Sequence, residues 1–258
     1  MIELYDRYSQ ESRDLHESLV ATGLSQLGVV IDADGFLPDG LVSPFTYYLG
    51  YEKGKPLYFN QVPVPAFWEI SGNNQSARIE DMTEERALIH YADGMQARLV
   101  KQVDWKDLEG RVRQVDHYNR FGACFATTTY SADSEPIMTV YQDVNGQEVL
   151  LENHVTGDIL LTLPGQPMHY FANKVEFITF FLQDLEIDTS QLIFNTLATP
   201  FLVSFQHPDK SGSDVLVWQE PLYDAIPGNM QLILESDDVR TKKIIIPNKA
   251  TYERALEL

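Results

Sequence analysis

The stretch that decides the fold is Arg98–Tyr130, RLVKQVDWKDLEGRVRQVDHYNRFGACFATTTY. Runs of strand formers at about Arg98–Trp105, Arg111–Tyr118 and Ala123–Tyr130 alternate with the turn-forming segments Asp107–Gly110 and Arg120–Gly122. The same unit then continues. Further strands are predicted at about Pro136–Gln142, Glu148–Glu152 and Ile159–Leu163, with turns at Ala132–Ser134 and Asn145-Gly146. Asn-Gly is the strongest hairpin signal of the set, because both residues tolerate positive φ. About a dozen residues per strand and turn predicts an antiparallel β-meander within a block spanning 57–171. Lys101, Gln114, Asp116 and His117 interrupt both faces of these strands, so the sheet is expected to be exposed, with edges that need a partner or protection. At the start of the block, Pro63–Trp68 (PVPAFW) reads as an extended strap carrying two aromatics, since each proline restricts the residue before it. Glu84–Tyr91 fits either helix or strand.

Outside the block the periodicity changes. Gln10–Thr22 reads as a helix, with Leu15 and Leu19 on one face, Arg13 and Glu17 at i,i+4 and Gly23 as its stop. Leu27–Ile31 is a continuous apolar run and reads as a buried strand. Asp34-Gly35 marks a turn, and Pro44–Gly50 suits a strand or a short helix. After the block, Asn173 and Glu176 form a capping box ahead of the stripe Val175, Ile178, Leu182 and Leu185. Strand candidates at Leu192–Phe194, Val215–Trp218 and Lys243–Ile246 then alternate with helix candidates near Ala198–Phe205 and Met230–Leu234. That alternation predicts an α/β domain with a Rossmann-like parallel sheet over 1–56 and 172–258, interrupted by the meander domain 57–171. Thr251–Leu258 reads as a helix just starting, which suggests further sequence beyond it. An appendage of this kind on an α/β frame points toward recognition rather than a self-contained catalytic pocket.

Composition narrows the function further. The 258 residues carry 38 acidic against 19 basic side chains, a net charge of −19. Such a field repels phosphate backbones and argues against nucleic acid; it suits a basic partner, or solubility alone. The one cysteine, Cys124, cannot form an internal disulfide, which fits a reducing compartment, and it reads as a small buried hydrophobe. Residues 1–25 lack a basic segment followed by an apolar core, and the longest apolar runs, such as Ile244–Ile246, are too short to span a bilayer. The expected location is cytoplasmic, with room for peripheral association at the membrane face.

Most chemistry-bearing motifs are missing. There is no phosphate loop, dinucleotide fingerprint, HExxH, cysteine pair or GxSxG. The six histidines are scattered without metal spacing, so neither a metal site nor a catalytic residue is assigned. Trp218–Asp224 (WQEPLYD) follows a predicted strand, where ligands bind in open α/β sheets. There Glu220 and Asp224 beside Trp218 and Tyr223 suit sugar or peptide hydroxyls, or else the loop simply covers the core. Asn153 and His154, in ENHVTGD, are polar candidates for the same role, or they shape a turn with Gly157 as its bend. Trp105, Tyr118 and Tyr130 on the meander are candidates for contact with a partner, or else pack.

Six segments taken together carry a resemblance: Asp34–Pro38, Phe59–Pro65, Leu99–Trp105, Glu152–Asp158, Trp218–Asp224 and Pro227–Leu232. In order and spacing they resemble the non-catalytic stabilising subunit of the O-GlcNAc transferase complex that glycosylates serine-rich repeat adhesins in the accessory Sec system of Gram-positive bacteria. The resemblance covers essentially the whole chain. It implies a GT-B glycosyltransferase fold of two Rossmann-like halves with an extended meander inserted in the first. It implies a subunit that holds the Ser/Thr-rich adhesin polypeptide while a catalytic partner transfers N-acetylglucosamine from UDP-N-acetylglucosamine, two copies of each subunit assembling together. A GT-B enzyme binds its nucleotide sugar mainly through the second half, and this sequence ends before one forms. The chain alone is therefore expected to use no cofactor and to transfer no sugar. Wall-teichoic-acid glycosyltransferases carry a similar insertion, so the acceptor-binding half of an active enzyme is the alternative.

Overall fold

The computed structural model describes residues 1–92 and 97–258. In chain order the elements begin with β1 (Ile2–Tyr5), α1 (Gln10–Ala21), β2 (Leu27–Val30), β3 (Leu41–Val42) and α2 (Pro44–Tyr47). After a 3-10 turn at Phe59–Gln61 come β4 (Trp68–Gly72), β5 (Ser76–Asp81), β6 (Glu84–Tyr91), β7 (Val100–Lys106) and β8 (Val112–Tyr118). Next are β9 (Cys124–Tyr130), β10 (Pro136–Gln142), β11 (Glu148–Asn153), β12 (Ile159–Leu161) and β13 (His169–Phe171). The chain closes with α3 (Lys174–Asp184), β14 (Leu192–Phe194), α4 (Thr199–Gln206), β15 (Asp214–Val217), α5 (Gly228–Glu235), β16 (Thr241–Ile245) and α6 (Lys249–Glu257). Two compact units result: Met1–Ala33, Leu37–Pro44 and Asn173–Leu258 form one, and Asp34–Phe36 with Phe45–Ala172 form the other.

The first unit holds a six-stranded sheet in the order β3-β2-β1-β14-β15-β16, with every neighbouring pair parallel. Its central strand, β1, has no counterpart in the sequence reading. The reason is Glu3, which sits in the middle of IELY, breaks the apolar run and is fully buried. One carboxylate oxygen accepts from the Tyr5 hydroxyl and from His16 Nδ1, each at 2.7 Å. Partners of this kind make a buried charge tolerable. Ser9 caps α1, and, as the sequence signal predicts, Asn173 Oδ1 accepts from the Glu176 amide at 3.0 Å to start α3. Val175, Ile178 and Leu182 of the stripe are buried, while Leu185 follows α3 as its C-cap and is half-buried.

At the opposite ends of the strands from β1's Tyr5 side lies a buried clamp. Arg240 and Asp214 are both inaccessible to solvent, and the guanidinium grips the carboxylate through Nε and Nη2, each at 3.0 Å. Its remaining donors reach the Asp209 and Thr189 carbonyls and His207 Nδ1. Gly212 lies against this guanidinium so closely that a Cβ there would come within 2.3 Å of it.

The second unit is a ten-stranded antiparallel meander in which β4 to β13 pair strictly in sequence. Glu84–Tyr91 is a strand, and β4, β5 and β13 extend the sheet beyond the strands read from sequence. Pro44–Gly50 contains a single helical turn rather than a strand. The strap ends at Phe67, which is 96% exposed at φ 74°, and Trp68 opens β4.

The register explains why neither face of the strands reads as apolar. One row runs Ala77, Ile89, Val103, Asp116, Thr127, Val140, Leu151, Leu160 and Tyr170. It is buried at its start and half-exposed from Asp116 onward, reaching 63% exposure at Tyr170. The row on the other face runs His90, Gln102, His117, Ala126, Tyr141, Leu150 and Leu161, and is buried only from Ala126 onward. The buried face therefore changes sides between β8 and β9. Leu57, Phe59, Val62, Val64 and Trp68 cover the first half on one side. On the other side of the second half, Phe45 stacks on Tyr141 at 5.2 Å, and the Tyr51 hydroxyl donates to the Gln142 and Asp143 carbonyls. Burial pushes that hydroxyl's pKa up to about 12.

Candidate functional site

The parallel sheet places its carboxyl ends around one cleft of about 970 Å³ within the first unit. Chain order reverses between β1 and β14, and the crevice at such a switch point is where open α/β sheets bind ligands. Asp6 follows β1, Asp32 follows β2 by two residues, Thr196 follows β14, and Trp218 follows β15 directly. The first turn of α1 contributes Ser9 and Ser12, and the loop into α4 contributes Leu197, Ala198 and Thr199. The far wall is the irregular segment 219–227, with Glu220, Pro221, Leu222, Tyr223, Ala225 and Pro227.

Several groups are held in place by short bonds. Thr196 Oγ1 donates to Asp6 Oδ2 at 2.8 Å, and the Asp32 amide donates to the Asp6 carbonyl at 2.9 Å. Arg7 pairs with Asp32 at 3.3 Å on the open rim. Asn195, beneath the floor, donates through Nδ2 to Ser12 Oγ at 3.2 Å and to Gln219 Oε1 at 3.3 Å. Trp218 is only 6% exposed, and its indole N–H has no hydrogen-bond partner among the described residues. Carboxylates that accept, an indole that can donate and aromatic walls suit a ligand rich in hydroxyl and amide groups. The described lining contains no histidine, cysteine or lysine, and its groups able to accept a proton near neutral pH are the carboxylates Asp6, Asp32 and Glu220.

The sequence candidates separate into two groups. Trp218, Glu220 and Tyr223 line the cleft together, while Asp224, on the same loop, is not among its lining residues. Asn153 and His154 belong to the other unit. Asn153 Oδ1 caps a turn by accepting from the Val155 and Thr156 amides, and His154 Nε2 bonds Thr139 Oγ1 at 2.7 Å. Trp105 packs half-buried against the meander core and donates from Nε1 to Asp116 at 2.7 Å; Tyr118 lies in that core at 7% exposure, and Tyr130 is half-buried. The sequence reading missed Asp6, Asp32 and Thr196. Their signal is a short apolar run ending in a polar residue, IELYD, VVID and LIFNT. The His90–Asp104 pair at 2.8 Å was also missed. Among the described residues no group of three or more His, Cys, Asp or Glu could hold a metal ion, and no helix is long and apolar enough to cross a membrane.

Profiles of protein families match nearly the whole chain: GtfB N-terminal domain over residues 2–48, GtfB middle domain over 68–172 and GtfB third domain over 174–258. The chain belongs to the GtfB family. A relative from Streptococcus pneumoniae serotype 4, a "UDP-N-acetylglucosamine--peptide N-acetylglucosaminyltransferase stabilizing protein GtfB", is 93% identical over 258 residues, all of this chain and 58% of the relative. A relative of the same description from Streptococcus gordonii is 54% identical, again over all of this chain and 58% of its own length. The chain thus spans about three fifths of the curated GtfB relatives it matches. A crystal structure of a "GtfA/B complex bound to UDP and GlcNAc" contains a chain 54% identical, superposing with a TM-score of 0.96 over all of this chain and 58% of that one. A structure of the pneumococcal O-GlcNAc transferase GtfA in complex with UDP and GlcNAc, at 12% identity and a TM-score of 0.61 over 99% of this chain and 56% of that one, shares the fold.

Proposed function

We propose that this chain is the Rossmann-like first half, with its inserted meander, of a GT-B-type stabilising subunit of a peptide O-GlcNAc transferase, and that its cleft holds the Ser/Thr-rich acceptor polypeptide. The observation that carries the acceptor reading is the cleft itself. Asp6, Asp32 and Glu220 offer acceptors for hydroxyl protons beside the aromatic Trp218 and Tyr223. The strand order β3-β2-β1-β14-β15-β16 supports a Rossmann-like half. The subunit role draws on GtfB relatives described as stabilizing proteins. In this reading UDP-N-acetylglucosamine is bound by the catalytic partner, the acceptor is a serine-rich adhesin, two copies of each subunit assemble, and the complex works in the cytoplasm or at the membrane's inner face. The meander makes the contact with the partner, with Trp105, Tyr118 and Tyr130 as its candidate contact residues.

Two measurements test it. The full-length protein, mixed with its catalytic partner and passed through size exclusion with light scattering, should elute as a complex of two of each. Separate elution, with UDP-sugar turnover by this protein alone, would replace the subunit reading with that of an enzyme. In the complex, Tyr223→Ala and Glu220→Gln should each weaken binding of a fluorescent Ser/Thr-rich peptide about tenfold, the scale of one lost polar or aromatic contact. Unchanged affinity in both would remove the cleft from the acceptor path.

A further inference from the structure

The cleft walls are held from outside by side chains that do not line them. The segment 219–227 has no helix or strand of its own. Its start is tied down by Gln219, which accepts from Asn195 at 3.3 Å, and Leu222 is buried at 8% exposure. Tyr223, between them and the mouth, is 72% exposed. Its carbonyl nevertheless accepts a hydrogen bond from Arg254 Nε of α6 at 2.8 Å. A carbonyl on so open a residue is satisfied by water without a protein donor, so this bond is not needed to solvate the backbone. What it does is select one position for it. Arg254 is itself oriented, through Nη1 to Glu257 Oε2 at 2.9 Å. Asn229 of α5 likewise donates through Nδ2 to the carbonyl of Leu197, another lining residue, at 2.8 Å.

The helix that carries Arg254 reaches the cleft wall through this bond. We propose that Arg254 is a positioning residue for the acceptor: it fixes the Tyr223 segment in the wall and makes acceptor affinity depend on where α6 sits. The proposal rests on the cleft being the acceptor site, and it adds a residue outside the lining that sets the site's affinity.

A double-mutant cycle tests it, run on the full-length protein in its complex with the catalytic partner and read by anisotropy of a fluorescent Ser/Thr-rich peptide. Arg254→Ala should weaken binding about three- to tenfold, the effect of one net hydrogen bond. Because Arg254 acts through Tyr223, the same substitution made in Tyr223→Ala should cost nothing more. A purely structural loss would multiply with the Tyr223→Ala loss, and that result, or full affinity in Arg254→Ala, overturns the proposal. Should Arg254→Ala fail to fold, Glu257→Ala releases the guanidinium without removing it. It should give a two- to threefold loss that Tyr223→Ala abolishes, and full affinity there overturns the proposal equally. If Tyr223→Ala weakens binding and Arg254→Ala does not, only the positioning role falls. If neither matters, the acceptor site falls with it.

Discussion

The parallel sheet and the meander handle buried polar groups in opposite ways. The first concentrates them: Arg240, Asp214 and His207 form one buried cluster at the strand ends, and Glu3 and Tyr5 with the partly exposed His16 another at the centre. The second spreads them along the sheet. His117 Nε2, Thr128 Oγ1, Thr139 Oγ1 and His154 Nε2 are linked across β8 to β10 and the turn after β11 at 3.0, 2.8 and 2.7 Å. A point cluster fails all at once when one member is lost. A row with solvent along part of its length can rearrange. The difference teaches that stability in the first unit rests on single residues, while in the meander it rests on which face each strand turns inward.

The largest expected effect breaks the point cluster. Arg240→Ala leaves Asp214 buried without its counter-charge, a loss of about 3–5 kcal/mol. The paired replacement Arg240→Met with Asp214→Leu should recover most of it, since the isolated buried charge is what costs. Native-state hydrogen exchange locates the damage: amides of β14, β15 and β16 should exchange faster in Arg240→Ala, with those of β7 to β10 unchanged. Equal loosening of the meander would show that the two sheets do not differ in this respect.

The change of buried face gives the next largest effect. Leu161 and Leu160 are neighbours on β12; the first is fully buried in the row of Tyr141 and Leu150, the second is half-exposed in the row that begins with Ala77. Leu161→Ala should cost about 2–4 kcal/mol and Leu160→Ala under about 1. Denaturant unfolding compares them directly, and equal costs would mean that both faces of the second half are packed.

Those two residues also show what the sequence could and could not reveal. The meander's existence, its central strands and the Asn145-Gly146 turn were legible because turn chemistry is local. The exchange of faces was not, since what covers each half, 57–68 on one side and Phe45 with Tyr51 on the other, is set by chain distant from the strands. β4 and β5 were missed because Ser71, Ser76, Arg78 and Glu80 give them a polar face and little apolar length. β1 was missed because a buried glutamate stands at its centre. Half of the candidate cleft followed from it: Trp218, Glu220 and Tyr223 were readable as a loop after a strand, whereas Asp6 depends on knowing that IELY is one.

Acid should act on the polar row with two signs. Burial pushes His117 below its ordinary value, with Asp104 and Asp116 pulling the other way and Lys101 adding to the fall. The fold thus favours its neutral form, so its contribution is intact above the unfolded value of about 6.5 and is lost as pH falls below it. His90 is pushed up, first by its bond to Asp104. Its contribution is present below about 6.5 and is lost as pH rises through the raised value. His207, pushed down by burial and by Arg240, has the sign of His117. Between pH 7.5 and 5.5, thermal melting should therefore fall less steeply in His117→Gln and more steeply in His90→Gln. Identical slopes in both would mean that the row carries no linked proton.

The smallest effects concern two backbones in the same left-handed region with opposite occupants. Gly146 turns the β10–β11 hairpin at φ 76° with nothing within 4 Å of an added Cβ, and Phe67 ends the strap at φ 74° with its ring 96% exposed. A side chain in that region costs about 1–2 kcal/mol, offset in part by the smaller entropy of the unfolded chain. Gly146→Ala should thus lose about 0.5–1 kcal/mol, a loss of backbone origin since no neighbour is touched. Phe67→Gly should gain a few tenths, because so exposed a ring has little packing to lose. Chemical denaturation of both variants checks the signs. A loss in Phe67→Gly would mean that the ring stabilises the strap against the core of Val62, Ile79 and Trp68, and the meander's first half would then depend on its cover as strictly as the parallel sheet depends on Arg240.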